Sequence, residues 1–337
     1  MSGGVDSSVA AALLKKAGFK IVGVFMKPWS AGENNLDCLW KEERQYALRT
    51  AAKLDIPLLT WDFSKEYEKY VAQYMIEGYK KGITPNPDVM CNKVIKFGLF
   101  LDKALELGAD YIATGHYVRK NGNKLLKAKD LNKDQSYFLY SLNRKQLKYC
   151  LFPTGDYDKK EVRRMAKKFG LPNWGKPDSQ GVCFIGPLKM NDFLKKHIKP
   201  QKGPVIRKSD GQVLGEHDGV WFYTIGQRHG FNLSAGKPLY VVGKDVKKNI
   251  LYVDEEFKNE DLEIRIKDFS WINGHKKLPL DCKAKTRYRQ KDLDSVILKN
   301  GGTVVQVRIT AKNIPVAPGQ AAVFYKGNEV LGGGVIV

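Results

Sequence analysis

The 337-residue chain is 43% hydrophobic and 28% charged, which excludes a disordered polymer and is too long for one ordinary domain, so two or three domains are expected. Lys and Arg outnumber Asp and Glu 57 to 36, and the resulting net charge of +21 points to a polyanionic partner, with a lysine-rich solvated surface as the plainer alternative. No run of about 18 apolar residues and no basic-then-apolar leader occurs, so neither a membrane span nor a secretory signal is expected.

The first ~110 residues alternate helical and strand patterns. Residues 9–17 read as a helix closed by Gly18, 20–26 as a β-branched strand, and 39–54 as a second helix. A strand over 56–63 follows, then helices over 66–81 and 92–107 that end at Gly82 and Gly108, and a short buried strand over 111–114. Such a rhythm predicts an α/β fold, a doubly wound parallel sheet with helices on both faces. Beyond residue 120 the pattern changes. A short helix spans 161–169, a small mixed region spans 191–257, and the strands and glycine-bearing turns of 258–337 predict a β-barrel or sandwich. The expected division is therefore 1–190, 191–257 and 258–337.

The first eight residues, MSGGVDSS, lead straight into a helix. Glycines at a helix N-terminus let backbone N–H groups close around an anion. Asp6 and Ser7 can cap the helix, bind phosphate or help hold Mg²⁺. There is no Gly-Lys-Ser/Thr, so the loop is not of the Walker type. A loop of this kind follows the central strand of its sheet. Here no strand pattern precedes it, and a start assigned too far downstream is expected rather than loss of the strand, which would leave two unpaired edges.

The five cysteines are Cys38, Cys91, Cys150, Cys183 and Cys282. Their odd number, their scatter and the lack of any CxxC argue against a disulfide scaffold and a zinc site and fit a reducing cytoplasm. Cys91 lies in TPNPDVMCNK, where it is expected in the first turn of a helix capped by Asp88, a setting that eases ionisation of a thiol. Asp88, one turn earlier, can orient it or accept a proton. Cys183 lies in DSQGVCFIG, between glycines that suggest a mobile loop; alone it is equally consistent with a structural cysteine. Cys150 and Cys282 read as core or incidental residues.

Together these strings resemble the bacterial and organellar tRNA-specific 2-thiouridylases, within the PP-loop ATP pyrophosphatases. The resemblance is carried by SGGVDSS, TPNPDVMCNKVIKF, ATGHY, KDQSYFL, DSQGVCFIG, YTIGQR, TRYRQ and APGQ in that order. It implies that ATP, with Mg²⁺, adenylates O2 of the wobble uridine, and that sulfur replaces the activated oxygen at C2. It implies that Cys183 carries a persulfide from a sulfur-relay or cysteine-desulfurase donor protein. Cys91 becomes its disulfide partner and Asp88 the acid/base residue. Whether the persulfide attacks C2 directly or Cys91 first frees hydrosulfide stays open. Ser2, Gly3, Gly4, Val5, Asp6, Ser7, Met26 and Gly115 match ATP-contacting positions. Asn86, Pro87 and Asp88 would surround a flipped-out base. His116, Lys133, Asp134, Gln135, Arg287, Tyr288 and Gln320 match tRNA-contacting positions, Asp134 toward bases or riboses and Gln320 toward a base edge. No resident metal beyond the Mg²⁺ of ATP is expected, and a monomer is. The rival readings are a PP-loop enzyme acting on a small molecule, an RNA-binding protein with a decayed ATP site, and thiolation elsewhere on tRNA.

Overall fold

The computed structural model describes residues 1–29, 34–177, 190–231 and 237–337, without the side chains of 34–39 and of Asn300. Helix α1 (Val5–Lys16) is rich in alanine and buries Val5, Val9 and Ala12 on one face. Strand β1 (Gly23–Lys27) buries alternate residues, and helix α2 (Asn34–Lys53) returns the chain to β2 (Leu58–Asp62), which pairs with β1 in parallel. Helical runs over 64–80 (α3) and 87–106 (α4) follow, each widened in its middle by a π segment, Glu68–Ala72 and Cys91–Leu99. Strand β3 (Ile112–Ala113) pairs in parallel with a later strand, Cys150–Leu151. The parallel pairing expected from the alternation is present, but as two separate strand pairs that exchange no hydrogen bonds among the described residues.

One feature was not anticipated. A hairpin, β4 (Val118–Asn121) and β5 (Lys124–Lys127), leaves the α/β unit and adds to the edge of the C-terminal sheet, where Leu126 pairs with Glu329. A helix α5 (Arg144–Lys148) precedes the strand Cys150–Leu151, labelled β6. Helix α6 (Lys159–Lys168) starts at a reciprocal capping box between Asp158 and Glu161 and buries Val162 and Ala166 against α1.

Helix α7 (Met190–His197) leads into a four-stranded sheet of β7 (Gly203–Arg207), β8 (Val213–His217), β9 (Tyr240–Asp245) and β10 (Ile250–Asp254). Its order is β8-β7-β10-β9, and only β7 and β10 run parallel. The last unit is a closed barrel of β11 (Leu262–Trp271), β12 (Leu280–Lys285), β13 (Leu293–Asn300), β14 (Val304–Thr310), β15 (Ala321–Lys326) and β16 (Glu329–Ile336). Every pair is antiparallel, and β16 pairs back onto β11 to close it. No helix among the described residues is long and apolar enough to cross a membrane.

Candidate functional site

Gly3 has φ +77°, and a Cβ there would lie 2.3 Å from the Glu43 carbonyl oxygen, so the turn into α1 accepts only glycine. Gly4 is the cap residue, and no side chain caps the helix among the described residues. Asp6 and Ser7 therefore lie inside the first turn, which corrects their expected capping role. That leaves the helix start open to an anion. Ser7 Oγ donates to the Gly4 carbonyl at 3.1 Å and accepts from Ser2 N at 3.2 Å. Asn173 braces the loop from outside by donating to Gly3 O and Ser8 Oγ, both at 2.9 Å. The Asp6 carboxylate is held on one oxygen by the Tyr117 hydroxyl at 2.8 Å and Lys159 Nζ at 2.6 Å.

Two neighbouring residues join this loop to the cysteine helix. Gly115, just past β3, packs so closely on α1 that a Cβ would meet Ser7 N at 2.6 Å. His116 turns the other way, its ring 5.7 Å from Phe97 of α4 and its Nδ1 2.9 Å from Thr114 Oγ1. Burial, helped by the Lys96 cation, drives the His116 pKa well below 6.5 and keeps the ring neutral. Met26 sits half-buried on β1 in register with Trp61.

Helix α4 starts at Asn86, whose Oδ1 accepts from Val89 N at 3.1 Å, with Pro87 in the first turn. Asn86 is thus the cap, and Asp88 is not. Cys91 falls two positions further into the helix than expected, at the start of the π segment, and is only 6% exposed within the main apolar core. The polar dipeptides around it disguised that burial. Asp88 precedes Cys91 by three residues and so shares its helix face. Burial raises the Asp88 pKa against the opposing pull of Lys96. The next residue, Asn92, donates to the Phe138 carbonyl at 3.3 Å, while its buried Oδ1 has no partner among the described residues.

The positions expected to touch RNA are largely engaged within the protein. Asp134, expected toward bases or riboses, is buried and accepts from Ala128 N, Ser136 N and Ser136 Oγ at 3.0, 3.2 and 2.8 Å. Gln135 pairs with the Tyr117 backbone through its N–H and its Oε1, at 2.9 and 3.0 Å. Lys133 is half-buried, and its backbone N–H bonds to Asp130 O. Arg287 donates to the Ile225 carbonyl of the central unit, and Tyr288 packs its ring 4.5 Å from Phe138. Gln320 Nε2 donates to Thr84 O at 2.8 Å, so its amide nitrogen holds the TPNPD segment.

Cys183 belongs to residues 178–189, outside the described residues. The chain on either side borders α2 and the end of β1. Lys176 bonds Glu43 at 2.5 Å, and Phe193 of α7 meets Trp29 edge-on at 6.4 Å, just past β1. Cys38 also lies among side chains not described. Cys150 and Cys282 are buried, and burial pushes the Cys150 thiol up to about 12, so both are core residues as expected. No group of three His, Cys, Asp or Glu suited to a metal occurs among the described residues. Lys159 and Asn173 were missed by sequence reading, since neither lies in a motif and only folding brings them to the loop.

Three family models match the chain: a "tRNA methyl transferase HUP domain" over 1–187, a "tRNA methyl transferase PRC-barrel domain" over 191–255 and an "Aminomethyltransferase beta-barrel domain" over 262–336. A tRNA-specific 2-thiouridylase of Geobacillus kaustophilus is 47% identical across 100% of this chain and 93% of its own length. Proteins of the same name from Geobacillus thermodenitrificans and Bacillus subtilis are 46% and 45% identical over the same shares.

Proposed function

The chain belongs to the tRNA-specific 2-thiouridylase family, and on that premise we propose that it thiolates the wobble uridine of tRNA at C2 at the expense of ATP. The observation that carries the reading is the Gly115–His116 bridge. It sets the first turn of α1 beside the helix that bears Asp88 and Cys91. Adenylation and sulfur transfer need those two centres to serve one uridine.

A uracil carbonyl oxygen is a poor leaving group until it becomes an AMP ester. The open N-terminus of α1 and the Ser2–Ser7 loop offer N–H and hydroxyl groups to the phosphates, with Met26 and Gly115 on the adenine side. ATP brings Mg²⁺. Asp6 is the loop carboxylate that could touch the ion, and it is already shared with Lys159, which favours a metal held mainly by phosphates. Asn86, Pro87 and Asp88 would frame the flipped base. An Asp88 whose pKa is raised by burial is suited to carry a proton as the C2–O bond breaks.

Sulfur would arrive on Cys183 as a persulfide from a sulfur-relay or cysteine-desulfurase donor protein. Its terminal sulfur attacks C2 and AMP leaves. Cys91 thiolate then attacks the Cys183 sulfur, the S–S bond breaks toward the base, and 2-thiouridine leaves with its electron pair. The products are a Cys91–Cys183 disulfide and thiolated tRNA, and an external thiol resets the enzyme. Prior release of hydrosulfide by Cys91 ends in the same disulfide.

The division 1–190, 191–257 and 258–337 gives the catalytic unit and two units for tRNA. The +21 charge supports phosphate contacts over them. Because Asp134, Gln135, Arg287, Tyr288 and Gln320 engage other parts of the protein, we assign them to holding the tRNA-facing surface in shape, with Lys133 and His116 beside it. A cytoplasmic monomer is the working state. The test is Cys183→Ser in a reaction with unmodified tRNA, Mg-ATP and a persulfide donor. Thiolation should vanish while tRNA-dependent pyrophosphate release persists; surviving sulfur transfer would reject the carrier.

A further inference from the structure

The phosphate loop has no lysine of its own, yet a triphosphate brought to it carries several negative charges that must be balanced where pyrophosphate departs. The fold supplies a cation from far along the chain. Lys159, the first residue of α6, puts Nζ 2.6 Å from Asp6 Oδ1, and its side chain is only 12% exposed. It stands 5.7 Å from the centre of the Tyr117 ring, and the hydroxyl of that tyrosine bonds the same Asp6 oxygen. Its base is fixed by the Asp158–Glu161 capping box, and α6 packs on α1 through Val162 and Ala166 against Val5 and Val9. Among the described residues, two further cations of this region have partners of their own. Lys176 pairs with Glu43, and Arg163 donates to the Trp174 and Lys176 carbonyls.

We propose that Lys159 is a phosphate-binding residue of the ATP site, serving the part of the polyphosphate that leaves as pyrophosphate. Asp6 holds the ammonium in place before nucleotide arrives, and the phosphates then share it. A lysine is a point charge on a long stem and can make that exchange without moving α6. The inference rests on the ATP-dependent reading above.

The test measures binding, not turnover. Calorimetry would compare α,β-methylene-ATP with AMP on the wild type, Lys159→Met, Lys159→Arg and the neighbouring surface variant Lys160→Met. Lys159→Met should weaken the triphosphate analogue about tenfold or more, the worth of one charge-assisted contact, and leave AMP within about twofold. Lys159→Arg should recover most of the loss, and Lys160→Met should match the wild type. Equal loss of AMP and analogue, or no loss of either, overturns the assignment. A second measurement needs no variant: an acyl-phosphate derivative of ATP should acylate Lys159 in the wild-type protein, and excess ATP should block it. Labelling that spares Lys159 also overturns it. If the wild type binds neither nucleotide, the ATP reading itself fails, a result distinct from both.

Discussion

Gln320, in the loop entering β15 of the barrel, donates its amide hydrogen to the Thr84 carbonyl at 2.8 Å across 236 positions of sequence. Thr84 N returns a bond to Pro318 O at 2.8 Å. The C-terminal barrel therefore holds the segment that leads into Asn86, Pro87 and Asp88. Gln320→Ala should cost about 1 kcal/mol of stability, the usual worth of such a bond. It should lower kcat/KM for thiolation on the order of tenfold through misplacement of Asp88. A residue that read a base edge would instead raise KM for tRNA and leave the melting temperature alone. Thermal melts run beside steady-state kinetics separate the two.

Asp88 offers a case in which function and stability pull apart. Burial raises its folded pKa above the ordinary 3.8, so the fold prefers the protonated acid. Its favourable contribution is full below pH 3.8 and is lost as pH rises through the folded value. Asp88→Asn, which keeps the shape without the charge, should be more stable than the wild type at neutral pH, with the difference closing as pH falls. Thiolation should drop about 100-fold or more, as expected for loss of a general acid or base. Urea midpoints across pH, read against activity, check both halves; an Asn variant less stable at pH 7.5 would contradict the argument.

Much of the site was legible because its chemistry is local. A glycine pair before a helix and a Pro-Asn-Pro-Asp run before a cysteine announce themselves in a few residues. What stayed hidden was set by distance and burial. Cys91 has polar sequence neighbours, yet it stands at the start of the π segment and is buried. Lys159 and Asn173 reach the loop only through the packing of α6 on α1. The hairpin β4–β5 has ordinary strand character, and nothing local says that it will extend the barrel of another unit. Asp134 and Arg287 resembled RNA contacts by motif, and only the fold shows their polar atoms spent on other parts of the protein.

The surroundings of Asp134 make that distinction measurable. Lys127 and Lys285 flank the buried Tyr325 ring at 4.4 and 5.5 Å. Lys127 bonds Asp292 at 2.5 Å, and Lys285 stands 4.0 Å from Asp134 and 3.7 Å from Asp292. These groups join the 124–136 segment to the barrel. Asp134→Ala removes the acceptor of three buried donors, Ala128 N, Ser136 N and Ser136 Oγ, and should destabilise by about 1–3 kcal/mol, while Lys127→Met leaves Asp292 its pairing with Lys285 and should cost less. The slope of log affinity for tRNA against log salt should stay unchanged, since neither side chain meets a phosphate. A slope shallower by about one would show that Lys127 contacts the RNA backbone.

His116 should report pH in the opposite sense from Asp88. Its folded pKa lies well below the ordinary 6.5 because the ring is buried near Lys96. The neutral ring is the form the fold accepts, so its contribution to stability is complete above pH 6.5 and is lost as pH falls toward the folded value. His116→Gln removes that proton site while keeping a polar group near Thr114 Oγ1. Between pH 7.5 and 5.5 the wild type should therefore lose more stability than the variant, a gap readable in urea midpoints. Imidazole NMR signals should keep the neutral pattern over the same range. An ordinary titration near 6.5 would mean that the ring is open to solvent and that the bridge between the nucleotide loop and the cysteine helix is looser than its packing on Phe97 requires.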